Sequence, residues 1–99
     1  MEYEIVTTDV FSHWLSRLKD RQAVKAIALR LTRAEVGNLG DVKSVGNGIS
    51  EMRIFVGKGY RLYFTIRNGR LILLLNGGNK STQRQDIEQA KKVMSELEK

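Results

Sequence analysis

Two turns in the second half of the chain bring together side chains suited to a phosphate. A three-residue loop at Gly57-Lys58-Gly59, between segments that alternate in polarity, predicts a hairpin in which Val56 pairs with Tyr60. Ile54 then opposes Leu62 and Met52 opposes Phe64 on an apolar face. The other face carries Phe55 opposite Arg61, Arg53 opposite Tyr63 and Glu51 opposite Thr65. The Asn68-Gly69 turn pairs Arg67 with Arg70, which places Leu71, Leu73 and Leu75 on the apolar face and Asn76 opposite Arg61. The chain then runs into Gly77-Gly78-Asn79-Lys80, so Lys80 lies near Arg61. Arginine meets phosphate with a rigid two-pronged fork, and a tyrosine in the same patch can stack on a base. Two arginines on neighbouring strands repel each other unless an anion lies between them. The same residues also read as the ordinary solvated face of a half-buried sheet, and Ile72 and Leu74 fall on that face too.

Composition narrows the chemistry. The 99 residues include one His and no Cys, so neither a thiolate cluster nor a His-rich zinc site can form, and no Cys/His or Ser/His/Asp arrangement is in prospect. No metal ion and no cofactor is expected. Gly77-Gly78 with Lys80 and Ser81 lacks the spacing of a phosphate-binding P-loop. The acidic N-terminus has no apolar signal core, and the longest apolar run, Leu71 to Leu75, is too short to span a membrane. The expectation is a cytoplasmic single domain over residues 1–99. Its net charge of +6 comes from two blocks, a net +5 over residues 11–33 and a net +4 over residues 51–70, the latter including Lys58. The first block reads as a solvated helix face, the second as the candidate site.

These side chains need a scaffold to hold them. Tyr3 to Val6 reads as a strand. Thr8 can cap a helix carrying Phe11, Trp14, Leu15 and Leu18, and Asp20 a second carrying Val24, Ile27, Leu31 and Ala34. Residues 37–40 end that αα-hairpin. A short strand at Val42–Val45 is possible before Gly46-Asn47-Gly48, and strands follow over Ile49–Val56, Tyr60–Arg67 and Arg70–Asn76. Thr82 and Gln85 fit a capping box for a last helix with Ile87, Ala90, Met94 and Leu97 as its buried stripe. The fold class is α+β in the order β-α-α-β-β-β-α. It has a small, mainly antiparallel sheet, the αα-hairpin on its apolar face and a C-terminal helix.

The segments GNLGDVKSVGNGISEMRIFVGKGYRLYF (37–64), LLLNGGNKSTQRQDIEQAKKV (73–93) and FSHWLSRLKD (11–20) resemble the RelE/ParE toxin superfamily, within it the HigB-like addiction module killer branch. The resemblance covers nearly the whole chain. It implies the toxin of a type II toxin–antitoxin system, neutralised by a helix-turn-helix antitoxin encoded nearby. It further implies a metal-independent endoribonuclease that cuts mRNA on the ribosome, with the 2′-hydroxyl as nucleophile. The ParE group shares the fold and inhibits DNA gyrase instead.

Carried onto this chain, the family's basic catalytic positions fall on Arg53, Arg61 and Lys80. The first two would bind the phosphate and stabilise its transition state, and Lys80 would orient it or assist the leaving 5′-oxygen. Tyr63, Glu51 and Lys58 are the candidate substrate-binding residues: Tyr63 to stack on or position a nucleobase, Glu51 as the one nearby carboxylate able to act as a general base, or else as a structural partner of Arg53, and Lys58 in the hairpin loop. One departure stands out. Many family nucleases carry a C-terminal Tyr or His for proton transfer, and this chain has neither after Tyr63. A gyrase-directed toxin and a plain RNA-binding module are therefore the alternatives.

Overall fold

The computed structural model describes residues 2–98. The elements run β1 (Glu4–Thr7), α1 (Asp9–Ser16), α2 (Arg21–Glu35), β2 (Val42–Gly46), β3 (Ile49–Ile54), β4 (Tyr60–Arg67), β5 (Leu71–Asn79), a 3₁₀ turn (Lys80–Thr82) and α3 (Gln83–Leu97). The strands form one sheet in the order β1-β5-β4-β3-β2. All neighbours are antiparallel except β1 and β5, and the αα-hairpin carries the chain from β1 at one edge of the sheet to β2 at the other. The expected α+β class therefore stands, with β2 as a full fifth strand. Both N-terminal helices begin where the capping residues place them. The Thr8 side chain accepts from Phe11 N at 3.0 Å, and Asp20 Oδ1 accepts from Ala23 N at 3.1 Å.

The hairpin registers differ from the expected ones. β3 leaves the ladder after Ile54, so the β3–β4 loop has five residues and Ile54 pairs with Tyr60. The loop curls because Val56 N bonds Ile54 O and Gly59 N bonds Val56 O, both at 3.0 Å, through left-handed turns at Gly57 (φ 55°) and Gly59 (φ 75°). Its base is anchored to the start of α2, where Tyr60, the first residue of β4, donates to Asp20 Oδ2 at 3.1 Å. The shift from the expected pairing is two residues, an even number. Each side chain keeps its face and changes its opposite number: Arg53 opposes Arg61, and Glu51 opposes Tyr63.

At the next turn the shift is odd. Arg67 pairs with Leu71 across a three-residue loop, so Ile72 and Leu74, rather than Leu71 and Leu73, face the core with Phe64. A β-bulge at Leu75 then resets the register. Leu75 and Asn76 both face the other side of the sheet, Gly77 opposes Leu62, and Gly78, not Asn76, opposes Arg61.

Both sheet faces are covered, which corrects the expectation of one solvated face. Phe11, Ile27, Met52, Leu62, Phe64, Ile72 and Leu74 form the core under α1 and α2. A second, smaller core of Ile49, Tyr63, Leu75, Ala90 and Val93 lies under α3. The α3 stripe is rotated from the expected one, with Val93 buried and Leu97 exposed. The helix is capped by Thr82 without a side-chain bond. The capping box belongs to Asn79 and Thr82 across the preceding 3₁₀ turn.

One residue of the first basic block is structural. Arg30 donates to Arg53 O at 2.5 Å, Leu39 O at 3.0 Å and Asp41 O at 3.4 Å, and so staples α2 to the entry of β2 and the end of β3. Arg30→Ala strands these carbonyls and is expected to lower stability by about 2 kcal/mol, measured by urea unfolding. A loss within about 0.5 kcal/mol, the range of a plain surface substitution, would place Arg30 on the solvated face after all.

Candidate active site

The strand pairing that sets Arg53 against Arg61 also decides what each guanidinium touches. Arg53 turns away to Asp41, in the segment entering β2, with Nη2 at 2.8 Å and Nε at 3.2 Å from Asp41 Oδ1. Its guanidinium also lies over the exposed Phe55 ring, 5.7 Å from the centroid. Arg61 is 8% exposed and leans on Glu51, with Nε 3.5 Å from Oε2 and Nη1 donating to Gly59 O at 3.3 Å. Each arginine thus has a carboxylate of its own. Their proximity does not require a bound anion, contrary to the expectation from pairing alone.

Glu51 and Tyr63 are fully buried beneath α3. Tyr63 donates to Glu51 Oε2 at 3.1 Å, and Gln83 Nε2, from the first residue of α3, donates to the same oxygen at 2.8 Å. Burial first, and the Glu51 carboxylate second, push the Tyr63 phenol far above its ordinary value, so it remains a hydrogen-bond donor. Tyr63 therefore cannot stack on a base in this structure, and Glu51 is not placed as a general base. Together they join the sheet to the start of α3. Glu51 is a structural partner, as one expectation had it, but of Tyr63, Gln83 and Arg61 rather than of Arg53.

The cations that remain open lie past the N-terminal end of α3. Lys80, in the 3₁₀ turn, and Lys58, in the β3–β4 loop, are both exposed and border an open depression of about 640 Å³ with Asn79 and Ser81. Gly59 lies between Lys80 and Arg61. A Cβ added there would meet Lys80 Cβ at 3.6 Å and Arg61 Nη1 at 3.7 Å. The Lys80 turn is held by Asn79, whose Oδ1 accepts from Ser81 N at 2.9 Å and Ser81 Oγ at 2.6 Å. Arg61, Lys80 and Lys58 thus converge at one end of the sheet, with the Arg53–Asp41 pair on the next strand. The structure brings the four candidate cations Arg53, Arg61, Lys80 and Lys58 to this end, and removes Tyr63 and Glu51 to the interior.

Sequence reasoning missed Asp41 and Gln83. Asp41 precedes a strand and Gln83 opens a helix, and neither position signals its partner. Gly77 and Gly78, the glycines by which the chain runs on to Lys80, are sites of close approach. A Cβ on Gly77 would run into the Trp14 ring, and one on Gly78 into the Asp86 carboxylate. Burial there raises the Asp86 carboxyl above its ordinary value, partly offset by the Thr82 hydroxyl that donates to Oδ2.

The folded chain therefore holds the Asp86 proton more tightly than the unfolded chain does. The resulting stabilisation is complete below the ordinary aspartate value and is lost as pH rises through the folded value. Asp86→Asn removes that dependence. The stability of the variant relative to wild type is expected to rise between about pH 3 and pH 7, by urea unfolding at each pH. A flat difference would show that Asp86 titrates as in the unfolded chain.

Residues 13–97 match the family described as phage-derived protein Gp49-like. An uncharacterized protein of Haemophilus influenzae is 50% identical over 97 residues, covering 98% of each chain. Among solved structures, the E. coli toxin RelE, as a mutant in the free state, superposes with a TM-score of 0.72 at 14% identity, over 93% of this chain and 98% of that one. A chain of the RelBE2 toxin–antitoxin complex of Mycobacterium tuberculosis superposes with a TM-score of 0.63 at 18% identity, over 81% of this chain and all of that one.

Proposed function

The chain belongs to the phage-derived Gp49-like family within the RelE/ParE superfamily, and on that premise we propose that it is the toxin of a type II toxin–antitoxin system that cleaves messenger RNA. The observation that carries this reading is the convergence of Arg61, Lys80 and Lys58 at the end of the sheet that α3 leaves open. A ribose 2′-oxygen attacks the adjacent phosphorus in line. The bond to the 5′-oxygen breaks, leaving a 2′,3′-cyclic phosphate and a 5′-hydroxyl. Negative charge gathers on the phosphoryl oxygens in the transition state, and fixed cations aimed at them lower the barrier.

Arg61 is the best-fixed of these, braced by Glu51 through Nε and by Gly59 O through Nη1. Lys80 supplies a mobile charge and a proton for the leaving oxygen, and Lys58 holds a flanking phosphate. Arg53, clamped to Asp41, forms the second positive wall. The proton of the 2′-hydroxyl passes to solvent or to ribosomal RNA, since Glu51 and Tyr63 are sealed under α3. Action on translated messages in the cytoplasm, and control by a helix-turn-helix antitoxin covering the basic end, complete the reading. The HigB-like branch remains part of this proposal. The mycobacterial RelBE2 structure, a toxin–antitoxin complex, supports the antitoxin partner.

A second reading has its own support. The burial of Glu51 and Tyr63, in a chain with no Tyr or His after residue 63, fits a toxin that binds DNA gyrase without chemistry. Induced expression followed by mapping of RNA 5′ ends separates the two. New ends within translated messages support cleavage. Growth arrest with unchanged RNA and failing gyrase supercoiling supports the second reading.

A further inference from the structure

A cleft apart from the basic end opens at the outer edge of β5. β1 pairs with β5 only as far as Leu74, so beyond that point the edge faces the gap between α1 and α3. The cleft encloses about 380 Å³, within the roughly 300–1,000 Å³ usual for small-molecule sites. Its walls include Val10, His13, Trp14 and Arg17 from α1 and its C-cap, Asn76 from β5 and Gln89 from α3.

Three features of this cleft point to a ligand. The first is an unanswered acceptor. Asn76 is 1% exposed, and its Nδ2 donates to Asp86 O at 2.9 Å and Gln89 Oε1 at 3.3 Å. The Asp86 carbonyl fixes which end of the amide faces α3, and Asn76 Oδ1 is left buried with no partner among the described residues. Such an acceptor is costly to leave unmade. The second is a flat apolar wall, the Trp14 indole. The third is charge: Arg17 lines the cleft beside His13, and no carboxylate among the described residues does.

We propose that this cleft binds a nucleotide. A base N–H donates to Asn76 Oδ1, the ring lies against Trp14, and the phosphate meets Arg17. Gln89 Oε1 is engaged by Asn76, which leaves Gln89 Nε2 to donate. The two amides then present an acceptor beside a donor, the complement of the adjacent donor and acceptor on a nucleobase edge. Inorganic phosphate would satisfy Arg17 and leave Asn76 Oδ1 unanswered, and an apolar ligand would do neither. A free mononucleotide and one nucleotide of a longer RNA share this chemistry. The proposal does not depend on the toxin reading.

Trp14 is the only tryptophan of the chain and lines this cleft, so its fluorescence serves as the reporter. The protein is titrated with AMP, CMP, GMP and UMP, with a short single-stranded RNA, and with inorganic phosphate. A saturable change with a mononucleotide is expected, unaltered in Lys80→Ala and weakened about tenfold or more in Arg17→Ala and in Gln89→Leu. Circular dichroism establishes that these variants are folded. If only the RNA gives the Arg17-dependent change, the site takes a nucleotide of a strand. The proposal is overturned if neither nucleotides nor RNA alter the emission, if phosphate alone reproduces the change, or if Lys80→Ala abolishes it. Undiminished binding in both Arg17→Ala and Gln89→Leu overturns it as well.

Discussion

Arg61→Ala is expected to lower RNA cleavage by about two to three orders of magnitude, the usual loss when a fixed transition-state donor is removed. Arg61 is the most deeply buried of the candidate cations, and it leans on Glu51, buried two rungs along the ladder. The same contact sets the structural cost. Without Arg61, Glu51 keeps its hydrogen bonds from Tyr63 and Gln83, so the loss of stability is expected to stay within about 1–3 kcal/mol and the chain to remain folded. Lys80→Ala serves as the companion variant. Lys80 is exposed, so its replacement is expected to shift stability by no more than about 0.5 kcal/mol while still depressing cleavage. Counting RNA 5′ ends after induction, alongside circular dichroism of the purified variants, reads both effects. A folded Arg61→Ala protein that generates ends at the wild-type rate would remove the basic end of the sheet from the mechanism.

The second large effect is structural and lies on the opposite face. Gly77→Ala is expected to destabilise the fold by about 2–4 kcal/mol, because its methyl group would occupy the space of the Trp14 ring against a strand that is paired and cannot retreat. For a domain of this size that corresponds to a fall in Tm of roughly 10–25 °C. Trp14 itself packs on Phe11 and Tyr60, with ring centroids 5.7 and 6.5 Å away, so moving it disturbs α1 and the β4 hairpin together. If the clash is the cause, Gly77→Ala combined with Trp14→Leu recovers much of the loss, with a coupling energy above about 1 kcal/mol. Gly69→Ala makes the control. Among the described residues nothing lies within 4 Å of its added Cβ, and the left-handed backbone (φ 63°) resists, so about 1 kcal/mol is expected. Equal losses at the two glycines would show that backbone strain, not Trp14, governs both.

Much of the scaffold was legible in the linear chain because its signals are local. Thr8 and Asp20 cap the helices they precede, since the first turn of a helix offers its free N–H groups to the side chain just before it. Asn68-Gly69 marks a hairpin because few other residue pairs tolerate two consecutive left-handed positions. The apolar face of β3 and β4 survived a wrong loop length because side chains alternate with period two and the error was even. On β5 the error was odd and a bulge followed, so Ile72 and Leu74 were assigned to the wrong side.

The candidate site divides in the same way. That Arg53, Arg61 and Lys80 gather at one end of the sheet follows from strand order and turn position, and those are written in the residues. Which carboxylate each cation meets, and which polar side chains α3 seals from solvent, depends on contacts such as Arg53–Asp41 and Gln83–Glu51, whose partners stand 12 and 32 residues apart. No periodicity or spacing rule links such positions. Alternation along a strand specifies only that Tyr63 and Glu51 share a face. Whether that face meets water or a helix is decided by where α3 packs, and the packing of α3 rests on a bulge at Leu75 and a glycine at position 78. The elements, their order and the basic end of the sheet are legible in the linear chain, because these rest on interactions between near neighbours. The tertiary structure alone decided that a tyrosine and a glutamate suited to chemistry became the buried brace of an arginine, because burial is a property of the assembled layers.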